Sequence, residues 1–559
     1  MATAAIHTAH AAHGAHAGVA SIETGAKTKP IHYTSRKDSA GEGLTNSTPQ
    51  KVISSSETGL LTNAPSLEIH DFDMLIIGAG ISGINMAYRY QESFPERRYI
   101  VLEQRENIGG TWDLMRYPGI RSDSDLHTFG FAWRPWPEKI PIAEGGAILE
   151  YMKESAAQYG IDKNILFQHK VKESNWSSRE QAWIVQADAI DEQSGKTIVK
   201  HFRGKFVVLG TGYYNYDKPL EANISGIGNF KGRVVHPQFW PKDLDYANKK
   251  VAIIGSGATT ITLLPALAKT AKKVTMVQRS PSYIVSMANR TTPRWWEMFV
   301  PRYIQQRLTR IMYLFIGIWL RRMMKNPKKM REWMTKDTKK LLPASIPFDP
   351  HFNPKYDPWT QRVCLCPDGD FFEALQEGKA GVATGVIRTV TDTSIVLESG
   401  ETIEADIIIT ATGLHLQYGG NSAFKIDSEP LDWHTKFLWR GSMIQDVPNL
   451  MLVQGYTTAS WTLGADATAH MTCRMLKYFQ RNKYSSATPR VTRSGVVEQN
   501  WEKGLMGLTS TYIRMAKGRL PKNGVEDPWR ARKDYLWDLW FAKFGDLRKG
   551  LSFVECVGE

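Results

Sequence analysis

Two glycine-rich turns, each lying between an apolar strand and a helical stretch, constrain the fold of this chain more than any other feature. The first is Gly78-Ala79-Gly80-Ile81-Ser82-Gly83, which follows the apolar residues 74–77. The second is Gly255-Ser256-Gly257-Ala258-Thr259-Thr260, which follows the apolar residues 251–254. A GxGxxG turn in this position is typical of a dinucleotide-binding βαβ unit. The sequence therefore predicts an α/β fold with two Rossmann-like dinucleotide-binding domains.

The first unit has the residues that a dinucleotide without a 2′-phosphate requires. Gly78 permits the tight turn, Gly80 lets the backbone approach a pyrophosphate, and Gly83 lets the helix pack closely on the strand. A second apolar strand, residues 99–102, ends at Glu103, twenty residues beyond Gly83. An acid at that point accepts hydrogen bonds from ribose hydroxyls. These residues favour FAD or NAD as the ligand.

The second unit favours NADP. Thr260 stands where a third glycine is usual, and the turn still permits approach to a phosphate. The next strand, residues 274–277, ends in Gln278-Arg279-Ser280 instead of an acid, and a cation there suits a 2′-phosphate. The alternative is that Arg279 is an ordinary surface arginine. A flavin site and an NADP site in one chain predict an oxidoreductase in which a nicotinamide reduces a flavin.

Both domains are expected to be discontinuous in sequence. Residues from about 286 to 350 are basic, aromatic-rich and without a strand signal, which predicts a helical insertion in the second domain. The apolar strand 405–409 precedes Ala411-Thr412-Gly413, and we interpret it as re-entry into the first domain. The predicted boundaries are a disordered tail at 1–68, the FAD domain at 69–222, the NADP domain at 223–285, the helical insertion at 286–354, the NADP domain again at 355–395, and the FAD domain with the C-terminal region at 396–559.

The formal charge of +14 is compatible with nucleic acid, a membrane surface or an anionic cofactor as partner. No nucleic-acid motif accompanies it, so we expect no nucleic-acid partner, and the densest basic run lies between Arg302 and Lys340. Within that run, residues 311–320 are apolar and bordered by arginines, too short for the roughly 18 residues that span a bilayer. They predict either an interfacial membrane helix or a buried helix with basic ends, and we favour burial.

The remaining features predict a cytoplasmic protein without a metal site. The cysteines show neither a CxxC pair nor metal-ligand spacing, which favours a reducing compartment. The N-terminus lacks the basic head and apolar core of a signal peptide. Histidines recur there at every third residue and would bind a metal weakly if helical, but we interpret them as part of a solvated tail; they are His7, His10, His13 and His16.

Two longer patterns lie between the two glycine-rich turns. Residues 230–241, Phe-Lys-Gly-Arg-Val-Val-His-Pro-Gln-Phe-Trp-Pro, match the fingerprint FxGxxxHxxxWP at every fixed position, and in this the chain resembles the Baeyer-Villiger flavin monooxygenases. Residues 109–123 match that family's pattern GGxWxxxxYPGxxxD. The runs at 212–216 and 459–463 are most similar to the ethionamide-activating branch of the family. The resemblance covers roughly residues 72–545 and leaves the N-terminal tail outside it.

The resemblance implies a class B flavoprotein monooxygenase that consumes NADPH and O₂ and inserts one oxygen atom into a small molecule by way of a C4a-peroxyflavin. The Trp-Pro ending of the fingerprint favours Baeyer-Villiger oxidation of a ketone to an ester or lactone. The alternative on the same scaffold is oxygenation of a sulfide, thioamide or amine, and epoxidation is more distant. A rival from another class is a non-catalytic nucleotide-binding redox sensor, docked to a membrane by the basic segment.

Carried over residue by residue, the resemblance implies a catalytic Arg362, a permanent cation beside the flavin, which Asp123 orients. The residues implied to contact FAD are Gly78, Gly80, Ser82, Gly83, Glu103, Thr111, Trp112, Asp113, Leu114, Asp123 and, through its backbone, Val171. The residues implied to contact NADP are Arg121, Ser122, Asp123, Gly255, Ser256, Gly257, Ala258, Thr259, Thr260, Ile261, Arg279 and Ser280.

One position departs from the family pattern. Many members have a lysine before the catalytic arginine that helps to hold the 2′-phosphate, whereas this chain has Gln361, so the NADP preference depends more on Arg279. The resemblance also implies that His236 and Trp240 couple domain motion to the position of NADP, and the alternative is direct acid-base catalysis by His236. Trp461 and the segment Cys364-Leu365-Cys366 either border the substrate pocket or pack in the core.

Overall fold

The computed structural model describes residues 69–191, 193–289, 295–491, 496–500, 510–532 and 534–556, and only the backbone at residue 296. The predicted tail at 1–68 and its histidines lie outside these residues. Among the described residues, no helix combines the length and the apolar character needed to cross a membrane.

The first glycine-rich turn belongs to a nine-stranded sheet. Its order is β18-β17-β4-β5-β6-β1-β2-β3, and β21 also pairs with β6; β1 runs parallel to both β2 and β6. The strands are β1 (Ile69–Ile77), β2 (Tyr99–Leu102), β3 (Ile165–Leu166), β4 (His169–Ser177), β5 (Ala182–Ile190), β6 (Thr197–Leu209), β17 (Ala423–Ile426), β18 (Glu429–Pro430) and β21 (Leu450–Leu452). The helices of this unit are α1 (Ile81–Ser93), α2 (Thr111–Leu114), α3 (Leu126–Phe129), α4 (Gly145–Gln158) and α10 (Trp461–Asn482).

The second turn belongs to a five-stranded parallel sheet of order β12-β9-β8-β16-β7. Its strands are β7 (Arg233–Val235), β8 (Lys250–Ile254), β9 (Lys273–Gln278), β12 (Ala380–Thr384) and β16 (Ile407–Thr410), and its helices are α5 (Ala258–Ala268) and α9 (Asp370–Gln376). Smaller sheets beside it comprise β10 (Ile284–Met287), β11 (Cys364–Pro367), β13 (Ile387–Val390), β14 (Ser394–Leu397) and β15 (Thr402–Glu404).

The apolar runs that precede both turns are buried on two faces. On β1, Met74 and Ile76 belong to one core cluster, while Leu75 and Ile77 belong to another. The residues of β8 are divided between two clusters in the same alternating way. Successive strand side chains point to opposite faces, and a parallel sheet covered on both sides needs apolar residues at every position. The continuous apolar runs in the sequence therefore become the central strands of the two sheets.

One predicted assignment is wrong. The apolar strand near residue 407 was expected to re-enter the first domain, but Ile407 pairs with Val251 of β8 and with Arg233 of β7, so the strand lies in the second sheet. The boundary predicted at residue 396 is therefore misplaced for this strand. The two sheets have equivalent strand arrangements. The strand β6, which is followed by Gly-Thr-Gly, lies beside β1, and β16, which is followed by Ala-Thr-Gly, lies beside β8. The Thr-Gly turn that follows both β6 and β16 was the sequence signal for the second sheet, whereas an apolar run alone is compatible with either sheet.

The predicted insertion is helical, but one of its helices is not buried. It comprises α6 (Arg302–Met323), α7 (Pro327–Leu341) and α8 (Phe348–His351). Of the α6 side chains, the buried one is Arg310, while Ile311, Phe315 and Trp319 are exposed. Burial of the apolar run 311–320 was therefore the wrong alternative, because polar contacts of Arg310 hold this helix on the surface. The remaining elements are β19 (Leu438–Trp439), β20 (Met443–Ile444), β22 (Tyr484–Pro489), β23 (Leu551–Glu555), α11 (Thr511–Arg514) and α12 (Tyr535–Phe544).

The third glycine of the first turn is required by close packing. A Cβ added to Gly83 would lie 1.8 Å from the carbonyl oxygen of Gly78, whereas a Cβ added to Gly257 would have no atom within 4 Å. We expect Gly83→Ala to lower the free energy of unfolding by about 3 kcal/mol or more, because backbone atoms cannot move aside as a flexible side chain does. The matched variant Gly257→Ala should change it by less than about 0.5 kcal/mol.

Urea denaturation of both variants, followed by far-UV circular dichroism, measures this difference. Equal unfolding midpoints would show that α1 moves away from β1 without cost, which would contradict the packing role of Gly83.

Candidate active site

The first glycine-rich turn forms a cradle at the carboxyl end of β1, here called the first cradle. Gly78 has a φ of +101°, and a Cβ on it would lie 2.9 Å from the carbonyl oxygen of Gly210, which follows β6. Gly80 immediately precedes α1, whose first N–H groups have no partner within the helix. Ser82 Oγ accepts a hydrogen bond from Trp461 Nε1 at 2.8 Å. Backbone N–H groups at a helix start are suited to bind a pyrophosphate.

The predicted ribose acceptor, Glu103, lies against this cradle. It is buried, and its carboxylate accepts hydrogen bonds from the N–H of Ala79 at 2.6 Å and from the N–H of Arg105 at 2.9 Å. Desolvation raises the pKa of this carboxyl, and the two N–H groups act in the opposite direction. Glu103 therefore holds the turn in shape and retains acceptor lone pairs at the position expected for a ribose.

The short helix α2 is held in place by polar contacts on both sides. Thr111 Oγ1 accepts a hydrogen bond from the hydroxyl of Tyr214 at 2.8 Å. Asp113 is buried and pairs with Arg105 at 2.6 Å and with Arg116 at 2.7 Å. The Asp113 carboxylate is thus engaged by two guanidinium groups, which gives it a role in positioning the loop rather than in facing a ligand.

Three further predicted FAD residues have packed side chains. The ring of Trp112 meets that of Phe129 edge-on, with 5.9 Å between centroids. Val171 is buried in one core cluster and pairs with Ala187 between β4 and β5, and Leu114 packs against the same cluster. Contact between a ligand and Val171 therefore has to come through the backbone, as predicted.

The second turn forms the second cradle, at the carboxyl end of β8. Gly255 has a φ of +138°, and a Cβ on it would overlap the carbonyl oxygen of Ala411 at 2.2 Å. The space above Gly257 is open, which leaves room for a phosphate against the start of α5. Thr260 fits in place of the third glycine because its side chain is completely buried beside Gly255.

The other predicted NADP residues of this cradle divide into exposed and packed groups. Arg279 and Ser280 are exposed at the end of β9, and Arg279 donates a hydrogen bond to Thr511 Oγ1 at 3.1 Å. Ser256 Oγ donates to the carbonyl oxygen of Ser280 at 3.0 Å. Ile261 is completely buried, so its side chain belongs to the core. Ala258 is partly buried against the same core cluster, and Thr259 lies within hydrogen-bonding reach of the Tyr117 hydroxyl.

The segment that carries the predicted catalytic acid alternates between two faces. Arg121 donates to both carboxylate oxygens of Asp370, the first residue of α9 in the second unit, with one N···O distance of 3.2 Å. Ser122 points back into the first unit, where its Oγ accepts a backbone N–H. Asp123 faces the second unit again and accepts a hydrogen bond from Arg362 Nη1 at 2.5 Å. Two ion pairs of opposite polarity, here called the crossed ion pairs, thus join the two units.

Arg362 lies between the two cradles. Towards the first cradle, its charge acts on Tyr213, whose ring stacks on that of Trp461 with 5.0 Å between centroids. Towards the second cradle, the thiol of Cys364 lies 3.8 Å from the carbonyl oxygen of Ser256. Trp461 and Cys364 therefore line the walls that join the cradles, and both are tied to cradle residues.

The environment of Arg362 keeps it charged. Desolvation is the largest single effect and acts to lower the pKa of its guanidinium, but Asp123 together with Tyr213, Tyr512 and Cys364 acts in the other direction, and the net pKa is raised. Its side chain is 35% exposed, so the cation is accessible from the cleft. Burial raises the pKa of the neighbouring Cys364 thiol to about 12, which keeps the thiol protonated. The site thus presents the Arg362–Asp123 ion pair beside a neutral thiol.

The fingerprint segment forms the edge of the second sheet. Its residues 233–235 are β7, and His236 follows directly. His236 Nδ1 accepts the N–H of Gln238 at 3.2 Å, and burial lowers the pKa of the ring, which is therefore neutral at pH 7. Gln238 Nε2 donates to the carbonyl oxygen of Asn215 in the first unit at 2.7 Å. The fingerprint therefore contacts both units, as a segment that couples their motion requires.

Comparison with known proteins agrees with this geometry. The model of the flavin-binding monooxygenase-like family matches residues 73–427, which include both cradles and the crossed ion pairs. The chain belongs to this family. The predicted fold class, two Rossmann-like dinucleotide-binding domains with a helical insertion, and the predicted flavoprotein monooxygenase family are both confirmed.

Relatives match over nearly their whole length. The FAD-containing monooxygenase EthA of Mycobacterium tuberculosis is 41% identical over 494 residues, which is 86% of this chain and 98% of that protein. The probable FAD-binding monooxygenase AlmA of Acinetobacter baylyi is 41% identical over 482 residues, which is 85% of this chain and 95% of AlmA. This flavin monooxygenase therefore shares its cofactor domains and its insertion with both.

Solved structures show the same fold. The polycyclic ketone monooxygenase of Thermothelomyces thermophila superposes with a TM-score of 0.68 at 19% identity, over 88% of this chain and 91% of that one. The structure of OTEMO in complex with FAD and NADP superposes with a TM-score of 0.60 at 19% identity, over 75% and 87% of the two chains.

Both cradles of this flavin monooxygenase fit a dinucleotide. Each contains a buried threonine hydroxyl that has no hydrogen-bond partner among the described residues, Thr211 after β6 and Thr412 after β16. The two hydroxyls lie at equivalent points, in the turn after the strand that neighbours β1 or β8. A buried hydroxyl without a partner is costly, so a ligand group at each position is favoured.

Several site residues were missed by sequence reasoning. Asp370 gives no local signal, because its partner Arg121 is 249 residues away in the chain. Tyr214 and Tyr216 stack in parallel, with 4.9 Å between centroids, beside Thr111. The sequence analysis noted the tyrosine-rich residues 213–216 only as a variant of the family pattern. They directly follow the Gly-Thr-Gly turn after β6, and this was the signal that places them at the first cradle.

The crossed ion pairs yield a stability prediction. Asp370→Asn leaves Arg121, which is only 14% exposed, without its charge partner. We expect it to lower the free energy of unfolding by about 1–2 kcal/mol, less than for a fully buried pair because Asp370 is itself 30% exposed. The matched control is Asp392→Asn, which breaks the exposed Lys231–Asp392 pair at 3.4 Å and should cost less than about 0.5 kcal/mol.

Urea denaturation of the two variants provides the measurement. If both lose the same stability, the Arg121–Asp370 pair does not hold the two units together.

Proposed function

We propose that FAD binds in the first cradle, NADP binds in the second, and the enzyme performs Baeyer-Villiger oxidation of a ketone to an ester or lactone. The observation that carries the proposal is the Asp123–Arg362 pair, which sets a permanent cation between two dinucleotide cradles. The OTEMO structure was solved with FAD and NADP, which supports the assignment of one cofactor to each cradle.

FAD, reduced by NADPH, supplies the activation of O₂ and the transfer of one oxygen atom. The chain supplies the surroundings of that chemistry. Arg362 stabilises the negative charge that develops on the ketone oxygen while the carbonyl carbon is attacked. A fixed cation needs no reorganisation during the reaction. Asp123 holds the guanidinium at 2.5 Å and thus fixes where that charge lies.

Protonated tyrosines form part of the walls of the cleft. Burial raises the pKa of Tyr117 to about 12 and that of Tyr213 to about 12, so both hydroxyls stay protonated. The Tyr213–Trp461 stack closes the side of the first cradle, and Tyr117 reaches across to Thr259 of the second. Aromatic walls with protonated hydroxyls limit the access of water and so protect a reactive intermediate from wasteful hydrolysis.

Arg362→Ala is expected to lower kcat for ester formation by about 100-fold or more, the usual effect of removing a preorganised charge. Arg388→Ala, at an exposed arginine on β13, is the matched control and should not change kcat. The measurement is NADPH consumption by the FAD-loaded protein with linear, cyclic and aromatic ketones and with sulfides, and products are identified by mass spectrometry.

Esters or lactones from the wild type alone would support the proposal. Sulfoxides without esters would assign the enzyme to heteroatom oxygenation, and epoxides to alkene oxygenation. Absence of both bound flavin and NADPH oxidation would favour a nucleotide-binding sensor. Unchanged ester formation in Arg362→Ala would refute the role given to this arginine.

Arg279→Ala tests the coenzyme choice. If the guanidinium binds the 2′-phosphate, the KM for NADPH should rise about tenfold or more, because a hydrogen bond to a charged group contributes about 1.5–3 kcal/mol. The KM for NADH, which lacks that phosphate, should stay the same and serves as the internal control. An equal change for both coenzymes would show that Arg279 acts only on the shape of the cradle.

A further inference from the structure

The helical insertion presents a large apolar and aromatic surface to solvent. Trp295 is 78% exposed, Phe299 is 76% exposed and Phe315 is 66% exposed. These side chains belong to a group, here called the insertion surface, which comprises Trp295, Met298, Phe299, Tyr303, Leu308, Ile311, Phe315, Ile316, Trp319, Met323 and Trp333. Isolated exposed apolar residues are common, but eleven of them within residues 295–333 indicate a binding surface.

The spacing of these residues makes a stripe along α6. Leu308, Ile311, Phe315, Trp319 and Met323 follow one another at intervals of three or four residues, so they lie on one side of the helix. The opposite side is fixed to the first unit: Arg310 Nη1 donates to the carbonyl oxygens of three residues, His127, Thr128 and Gly130, at 2.8, 3.3 and 2.9 Å.

A second aromatic face lies next to this anchor. The charge of Arg310 acts on the hydroxyl of Tyr535, the first residue of α12, which places the start of α12 beside α6. Leu536, Trp537, Trp540 and Phe544 on α12 are exposed. Exposed apolar residues therefore also occur outside the insertion, on α12.

The surroundings of the insertion surface are strongly basic. Residues 295–341 contain twelve lysines and arginines against three acidic residues, and thus hold most of the net charge of +14. Arg322, Lys325, Lys328 and Lys329 are exposed around the carboxyl end of α6 and the start of α7. An apolar stripe with aromatic residues, bordered by cations, is typical of a helix that lies in the interface of an anionic bilayer.

Charge distinguishes three candidate partners of the insertion surface: a second copy of the chain, its own N-terminal segment and an anionic lipid surface. A second copy in a two-fold dimer would bring the same basic surface against itself, so like charges would repel. The N-terminal segment 1–68 contains five basic and five acidic residues, so it offers no net negative charge. An anionic lipid surface complements both the apolar stripe and its basic border.

We propose that the insertion surface docks this enzyme, with α6 lying flat, on a membrane that contains anionic lipid. The docked face is joined to the active site by short connections. Arg310 anchors α6 to residues 127–130, which begin four positions after Asp123. At the other end of the insertion, β10 pairs with β11, which begins two positions after Arg362. A membrane-bound enzyme of this form draws lipophilic substrates directly from the bilayer.

Vesicle flotation of the full-length, FAD-loaded protein tests the proposal. The vesicles consist of phosphatidylcholine alone or of phosphatidylcholine with phosphatidylglycerol, at low and high salt. We expect binding to the anionic vesicles that weakens with salt. The double variant Arg322→Glu/Lys325→Glu should bind at least about twentyfold more weakly, since each basic residue near an anionic surface contributes about fivefold. Phe315→Glu/Trp319→Glu should abolish binding.

The matched controls carry the same changes elsewhere on the surface. Val386→Glu replaces an exposed apolar residue, and Lys242→Glu an exposed lysine, outside the insertion surface. Both should bind vesicles as the wild type does, and all variants should keep the visible spectrum of bound flavin. Failure of the wild type to float with anionic vesicles would overturn the proposal, as would equal losses in the controls. A dimer that light scattering detects and that Phe315→Glu/Trp319→Glu dissociates, without vesicle binding, would assign the surface to a second copy.

Discussion

The position of the Arg362 guanidinium depends on the crossed ion pairs. Arg121 and Asp123 lie two residues apart on one extended segment and face residues of opposite charge, Asp370 and Arg362, in the second unit. Side chains of an extended segment alternate between faces, so a shift by one residue would turn Ser122 toward the second unit. A shift by two would place an arginine against Arg362. The two pairs therefore determine a single register between the units, and with it the distance of Arg362 from each cradle.

The two cradles have the same arrangement of strand, turn and helix but differ in the residue that packs the helix against the turn. In each, the strand before the glycine-rich turn, β1 or β8, lies beside a strand that is followed by a threonine-glycine turn. A buried threonine hydroxyl in that turn has no hydrogen-bond partner among the described residues. Gly83 brings α1 into contact with the backbone of Gly78, whereas Thr260 fills the corresponding place in the second cradle. The acid Glu103 and the cation Arg279 then distinguish the two cradles at the ends of β2 and β9. Neutral ribose hydroxyls suit the first, and a phosphate suits the second.

The insertion adds a function that neither cradle contains. Its buried residue on α6, Arg310, is polar, while the apolar residues Ile311, Phe315 and Trp319 are exposed, which is unusual for a surface helix. Nη1 of Arg310 donates to three carbonyl oxygens, which hold the helix against the first unit. The apolar side is thus left available, and its position near the crossed ion pairs relates membrane contact to entry into the cleft.

The sequence by itself determined the two cradles, because strand, turn and helix of each lie within about thirty residues and their glycines, apolar runs and terminal charges are local. It also indicated Arg362 and Asp123, but only through resemblance to a family. Only the tertiary structure decided that the strand at 407–410 joins the second sheet, that Asp113 is held by two arginines, that Asp370 pairs with Arg121, and that α6 is exposed. The physical reason is the same in each case: an apolar run or a single charge has several chemically equivalent partners along the chain, and only packing determines which of them come within reach.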